Sequence, residues 1–231
     1  MTITLAFLAL LMAAFAGWLV RQSVGVQPWI ADSQTAALPP QQVSLTASPV
    51  GLAVFLAVVT SVFGLTISAY VMRMAAAPEW DFLPQPPLLW INGALLVLAS
   101  LALQTAWSAA RQANAQRFAQ SLGFGAACTV AFIAGQVLLW RELSGAGYSM
   151  ARYVGSAFFV LMGALHALHM LGGLYALLRV VLRLQRGVAL PQVREAVGLC
   201  AIYWHYLLLV WAVLFTVLFV GAEPLYAWCR S

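Results

Sequence analysis

The stretch VGSAFFVLMGALHALHMLGGLYALL, residues Val154–Leu178, decides the fold of this chain. It contains no Asp, Glu, Arg or Lys, and it exceeds the roughly 20 apolar residues with which an α-helix crosses the hydrocarbon core of a bilayer. Comparable runs recur along the chain, so the sequence predicts an all-α, polytopic transmembrane helix bundle of about six spans. The other runs are Ile3–Val20, Pro49–Met72, Leu88–Ala110, Leu122–Trp140 and Ala196–Val220.

The composition excludes a domain with a water-facing surface. Hydrophobic residues make up 64% and charged residues 7% of the 231 residues, whereas a soluble domain carries about 25% charged residues. The net charge of +5 is spread too thinly for nucleic acid. It is better explained by membrane topology and by contact with lipid head groups.

The chain is predicted to have two parts. Residues 1–48 form an N-terminal transmembrane anchor and a polar linker, and residues 49–231 form the helix bundle. The segment Ala14-Phe15-Ala16 is similar to a signal-peptide cleavage site, but no basic side chain precedes the first apolar run. That favours a retained anchor over a cleaved leader.

The arginines predict the orientation in the membrane. Seven of the 11 basic residues fall in the first, third and fifth loops and the other four in the alternate segments. By the positive-inside rule the seven lie on the cytoplasmic side, which places both termini on the opposite, periplasmic side.

Three histidines are the ionisable side chains predicted to lie inside the spans. His166 and His169 are three apart on one helix, and His205 lies in the last span beside Tyr203 and Trp204. One interpretation is that two of these histidines ligate a haem iron or another metal from facing helices. The other is that neutral imidazoles hold the packing by hydrogen bonds between helices. The spans offer no carboxylate to complete a metal site. We therefore expect the three histidines, together with Tyr203 and Trp204, to be structural, with no catalytic, cofactor or metal site in this chain.

Arg179, Arg183 and Arg186 continue the fifth run at helical spacing. They are candidates for binding acidic lipid head groups, although arginines at a helix end also anchor a span by reaching to water. Small residues in the same run are typical of close helix approach. These are Gly163, Ala164, Ala167, Gly172 and Gly173.

Five segments carry a resemblance to a known family. In chain order they are Phe55–Tyr70, Pro87–Asn92, Gly135–Trp140, Ser156–His169 and Tyr203–Trp211. They resemble, in the same order, the motifs F-x-x-S-E, P-L-L-N-T, Q-x-x-E-[YW], S-x-F-F with G-x-H-G-x-H, and Y-W-H-F-V-D-V-V-W of subunit III of the haem-copper terminal oxidases, the cytochrome c oxidase type.

The resemblance implies a non-catalytic subunit of an oxidoreductase complex in a bacterial plasma membrane. It implies packing beside oxidase subunits I and II, which would carry the haem and copper, and binding of phospholipids. The complex would reduce oxygen to water and pump protons, with cytochrome c or quinol as the electron donor on another chain.

The sequence departs from the family at three membrane-buried acids. Val59, Leu139 and Leu208 stand where the family has Glu, Glu and Asp, so any proton-handling role of subunit III is not expected here. Three alternatives stay open: a subunit III-like protein associated with nitric oxide reductase, a small transporter, and a bis-histidine b-type haem protein. A transporter would usually carry a broken helix or an intramembrane charge at its site.

Overall fold

The structure is a computed structural model that describes residues 49–77, 80, 82–148 and 153–230, and the regular secondary structure within these ranges is helical. The long helices are joined by short segments, and one π-helical turn precedes the last helix. In chain order they are α1 (Pro49–Ala76), α2 (Pro87–Arg111), α3 (Ala115–Gly145), α4 (Val154–Gln185), α5 (Leu190–Phe215), the π-turn Thr216–Val220 and α6 (Ala222–Arg230).

Five of the described helices are long and apolar enough to cross a membrane, which confirms the predicted helical membrane bundle. Apart from its two ends, a helix makes all of its backbone hydrogen bonds within its own segment. The hydrocarbon core of a membrane demands this because it offers the chain no water. The run Ile3–Val20 and the polar linker lie outside the described residues. The count of six spans and the division after residue 48 therefore stay predictions.

Contacts divide the chain into one compact unit that ends at Gly64 and a second that begins at Leu65. In the described part of the first unit, one side of α1 is buried at helical spacing, through Ala53, Leu56 and Val59. The residues between them, such as Val54 and Val58, are exposed and apolar. The exposed apolar face suits contact with lipid.

The second unit contains a four-helix bundle in which α2, α3, α4 and α5 run alternately up and down. The helices α2 and α3 share the most extensive contact, and the contact of α5 with both α2 and α4 closes the ring. Antiparallel pairing brings the last turn of α2, the first of α3, the last of α4 and the first of α5 to one end. We call this the arginine end, after Arg111, Arg117, Arg179, Arg183, Arg186 and Arg194.

Local sequence fixes the two turns at the arginine end. The side chain of Asn114 caps α3 by accepting a hydrogen bond from the backbone N–H of Arg117 over 3.0 Å, which satisfies one of the free donors of a helix N-terminus. At the end of α4, Gly187 adopts a φ of +85°. This left-handed conformation is accessible to glycine without a steric penalty and commonly ends a helix.

Candidate functional site

The interior of the bundle contains a layer of rings around His166. His166 is fully buried, and its imidazole lies 5.4 Å from the ring of Trp211 on α5 and 5.7 Å from the ring of Phe132 on α3. The rings of Phe132 and Trp211 meet edge to face at 5.1 Å, a favoured aromatic geometry. The histidine therefore lies within the packing of three helices.

A pair of amide side chains lies in the same interior. The Nδ2 group of Asn92 on α2 donates to Oε1 of Gln136 on α3 over 3.4 Å, and both side chains are buried. Gly135 leaves room for the Asn92 amide, since a Cβ atom there would collide with its oxygen. Gly163 on α4 likewise faces Gln136, whose Nε2 would lie 2.9 Å from an added Cβ.

The residues Tyr203 and Trp204 join α5 to two different helices. The Tyr203 hydroxyl donates to the backbone carbonyl of His169 on α4 over 2.9 Å. The Trp204 indole N–H donates to the hydroxyl of Thr129 on α3 over 3.1 Å. Gly173 on α4 makes space for both rings, because an added Cβ would lie 2.7 Å from Trp204 and 2.9 Å from Tyr203.

Two of the imidazoles have tautomers that follow from their partners. Nδ1 of His169 faces the carbonyl oxygen of Leu165 at 2.7 Å and must donate, because a carbonyl only accepts. Nε2 of His205 faces Oε1 of Gln104 at 3.1 Å and donates to it. Nδ1 of a neutral His205 then accepts from the hydroxyl of Ser100. His205 thus connects α5 to two positions of α2.

The polar contacts described above join helices to one another, so this arrangement is suited to packing. Among the described residues, no group of three or more His, Cys, Asp or Glu side chains is placed to hold a metal ion. Both ring nitrogens of His205 are engaged by α2, so neither faces a ligand position in this rotamer. The thiols of Cys128 and Cys200 are free and buried.

The positions at which the resemblance leads us to expect acids are interior or partly interior in the structure. Leu139 is fully buried and Val59 is 2% exposed, while Leu208 is half-buried. An aliphatic side chain at such positions removes the free-energy cost of an ionisable group in a membrane. It also removes a group that could bind a proton there.

The three arginines predicted to bind lipid lie where α4 ends. Arg179 and Arg183 belong to the last turns of α4 and Arg186 is its C-terminal cap. Arg179 and Arg186 are exposed and Arg183 is half-buried. The helix end therefore presents positive charge at the arginine end of the bundle.

Several polar contacts were missed by the sequence analysis. Ser100, Gln104 and Thr129 are partners of His205 and Trp204, and Asn92 and Gln136 form the buried amide pair. A signal was present, since each is a polar residue inside an apolar run, and such residues often bond across helices in membranes. The close approach expected of the small residues is confirmed at Gly163 and Gly173. At Gly172 an added Cβ meets no atom of the described residues within 4 Å, so close approach there stays a prediction.

Comparison with known proteins identifies the family of this bundle. The family model described as Cytochrome c oxidase subunit III matches residues 54–223. The chain is 27% identical over 179 residues to cytochrome c oxidase subunit 3 of Thermostichus vulcanus, covering 74% of this chain and 85% of the relative. It is 28% identical over 175 residues to that of Synechocystis sp., covering 74% of each. A shorter match to the probable subunit 3 of Mycobacterium tuberculosis is 32% identical over 88 residues, covering 38% of this chain and 43% of the relative. With a matching segment that includes most of α1 and all of α2 to α5, the chain belongs to the cytochrome c oxidase subunit III family.

Proposed function

We propose that this chain is the non-catalytic third subunit of a haem-copper terminal oxidase of the aerobic respiratory chain. Haem and copper would be held by its partners, oxidase subunits I and II. The complex would reduce oxygen to water and pump protons, and this chain would support its assembly and stability. The proposal is supported by the family membership and by relatives whose names are those of oxidase subunits.

The observation that carries the proposal is the chemistry of the bundle interior. The buried polar side chains of the described helices are neutral amides, hydroxyls and one imidazole. Val59 and Leu139 are buried aliphatic residues, and they stand at positions where the resemblance to the family leads us to expect glutamates. A bundle of this kind can stabilise a neighbouring subunit, but it offers no carboxylate there to relay protons.

Lipid binding is the second part of the proposal. The guanidinium groups of Arg179, Arg183 and Arg186 lie at the end of α4, at the end of the bundle that we assign to the cytoplasmic side. Each arginine near an anionic membrane surface contributes about 1 kcal/mol of attraction. The three together would hold acidic phospholipid beside the complex in the bacterial plasma membrane.

Purification in mild detergent tests the function directly. An affinity-tagged copy of the full chain should retain a haem-copper catalytic subunit, identified by mass spectrometry and by its absorption spectrum. Co-purification of a nitric oxide reductase would instead assign the chain to that complex. A Soret band that stays with this chain after separation from all other subunits would contradict a haem-free role.

A further inference from the structure

A cavity of about 490 Å³ opens at the arginine end, between the last turns of α2 and the first turns of α5. Gln104, Trp107 and Arg111 line it from α2, and Arg194, Leu199 and Ile202 line it from α5. Both helices are candidate membrane spans that begin or end here. The cavity therefore lies at the depth of the lipid head groups, and it is separate from the α4 arginines discussed above.

The cavity owes its shape to a glycine. At Gly198 an added Cβ atom would lie 2.8 Å from Nε1 of Trp107, so any side chain there would push the indole out of position. The indole in turn holds Arg111, whose guanidinium carbon lies 5.2 Å from the centre of the Trp107 ring. This cation–π contact keeps one positive charge at the cavity.

The charges of the lining match a particular anion. Arg111 and Arg194 contribute two positive charges and Glu195 one negative charge, which leaves a net charge of +1 (2 − 1). Guanidinium groups bind phosphate oxygens through paired hydrogen bonds. A singly charged phosphodiester balances this lining, while Glu195 can accept a hydrogen bond from an amine or hydroxyl beside the phosphate.

The remaining wall of the cavity is apolar. Leu199 and Ile202 follow Arg194 and Glu195 along α5, and Ile202 is 39% exposed. A ligand with a phosphodiester at the membrane surface and a hydrocarbon chain directed inward meets both parts of the lining. A free phosphate ion would use the guanidinium groups and leave the apolar wall unoccupied.

We infer that this cavity binds one phospholipid, with its phosphodiester between Arg111 and Arg194 and its head-group donor at Glu195. The inference extends the lipid-binding part of the proposed function to a second and structurally different site. Phosphatidylethanolamine and phosphatidylglycerol carry the required N–H or O–H donors. Phosphatidylcholine has the phosphate but no donor, so it should bind more weakly.

Native mass spectrometry of the delipidated complex, titrated with each of the three lipids, tests this site. The double substitution Arg111→Gln with Arg194→Gln should lower the affinity for phosphatidylglycerol by roughly 30-fold, because each arginine contributes about fivefold. Gly198→Leu should also lower the affinity for phosphatidylglycerol, because it displaces the Trp107 indole while leaving all charges of the cavity in place. Arg117→Gln is the matched control, since this arginine is exposed on α3 and does not line the cavity.

Three outcomes would overturn the inference. They are unchanged lipid affinity in both cavity variants, equal loss in the Arg117→Gln control, and binding of inorganic phosphate with no preference for lipid. Haem content and the presence of the catalytic subunit are measured on the same samples. A complex that assembles normally while its cavity variants bind lipid as before would refute this site and leave the proposed function standing.

Discussion

The indole N–H of Trp204 donates a hydrogen bond to the hydroxyl of Thr129 over 3.1 Å, and so joins α5 to α3 in the bundle interior. Both residues are at most 1% exposed. Thr129→Val keeps the shape of the side chain and leaves the indole N–H without its acceptor. We expect a loss of about 1 kcal/mol in the free energy of unfolding, measured by denaturation in detergent.

Thr105→Val is the control for this prediction. The Thr105 hydroxyl donates to the carbonyl of Ala102 in its own helix over 2.8 Å, so its loss should leave the contacts between helices intact. Equal destabilisation by the two substitutions would show that the Trp204 bond contributes nothing of its own.

A methyl group at Gly135 should disrupt the amide pair. The Cβ atom of alanine would overlap the side-chain amide of Asn92, and overpacking of an interior typically costs about 1–3 kcal/mol. Gly135→Ala should lower the midpoint of thermal unfolding in detergent. Gly123→Ala on the same helix is the control, because its added Cβ meets no atom of the described residues within 4 Å. It should leave the midpoint unchanged or raise it slightly. A similar fall of the midpoint in both variants would refute the steric explanation.

The third prediction concerns His205, which we expect to be a structural residue. His205→Gln replaces the imidazole that connects α5 to Ser100 and Gln104. It should weaken retention of this subunit in the complex, or lower its free energy of unfolding in detergent by about 1 kcal/mol. The absorption spectrum of the oxidase should stay the same. Loss of one haem per complex, in this variant or in one with His166 replaced in the same way, would show that these histidines ligate a haem.

The fourth prediction concerns the arginines at the end of α4. Substituting Arg179, Arg183 and Arg186 by Gln removes three positive charges, each of which attracts an anionic head group by about 1 kcal/mol. The triple variant should co-purify with less acidic lipid, quantified by lipid mass spectrometry, at unchanged haem content. The same lipid content as in the unmodified complex would refute the hypothesis that these arginines bind acidic lipid.

The fifth prediction concerns orientation. The seven-to-four distribution of arginines predicts that the C-terminus lies outside the cytoplasm. A reporter that is active only in the cytoplasm should therefore give no signal when it is fused after Ser231. A strong signal from this fusion would reverse the assigned topology.

The bundle and its broad chemistry were predictable from the sequence because they depend on composition and length. Runs such as Val154–Leu178 can satisfy their backbone in lipid only as helices, and their boundaries follow from charge and aromatic residues. Of the six predicted spans, five are described by the structure, and predicting them needed no contact information. The helices nevertheless extend beyond the apolar runs, as α4 does to Gln185, because a helix continues into the head-group region as long as its backbone bonds are made.

The partners of the polar side chains were decided by the tertiary structure alone. The sequence places Gln104 and His205 in different helices, and no local rule states that they meet. The same holds for Gly198 and Trp107, whose close approach shapes the cavity at the arginine end. Helical spacing fixes which residues share a face of one helix, but the rotation and pairing of helices depend on how all their side chains pack together. For that reason the sequence by itself determined a membrane bundle with an uncharged interior, and only its folding brought the separate polar residues into contact.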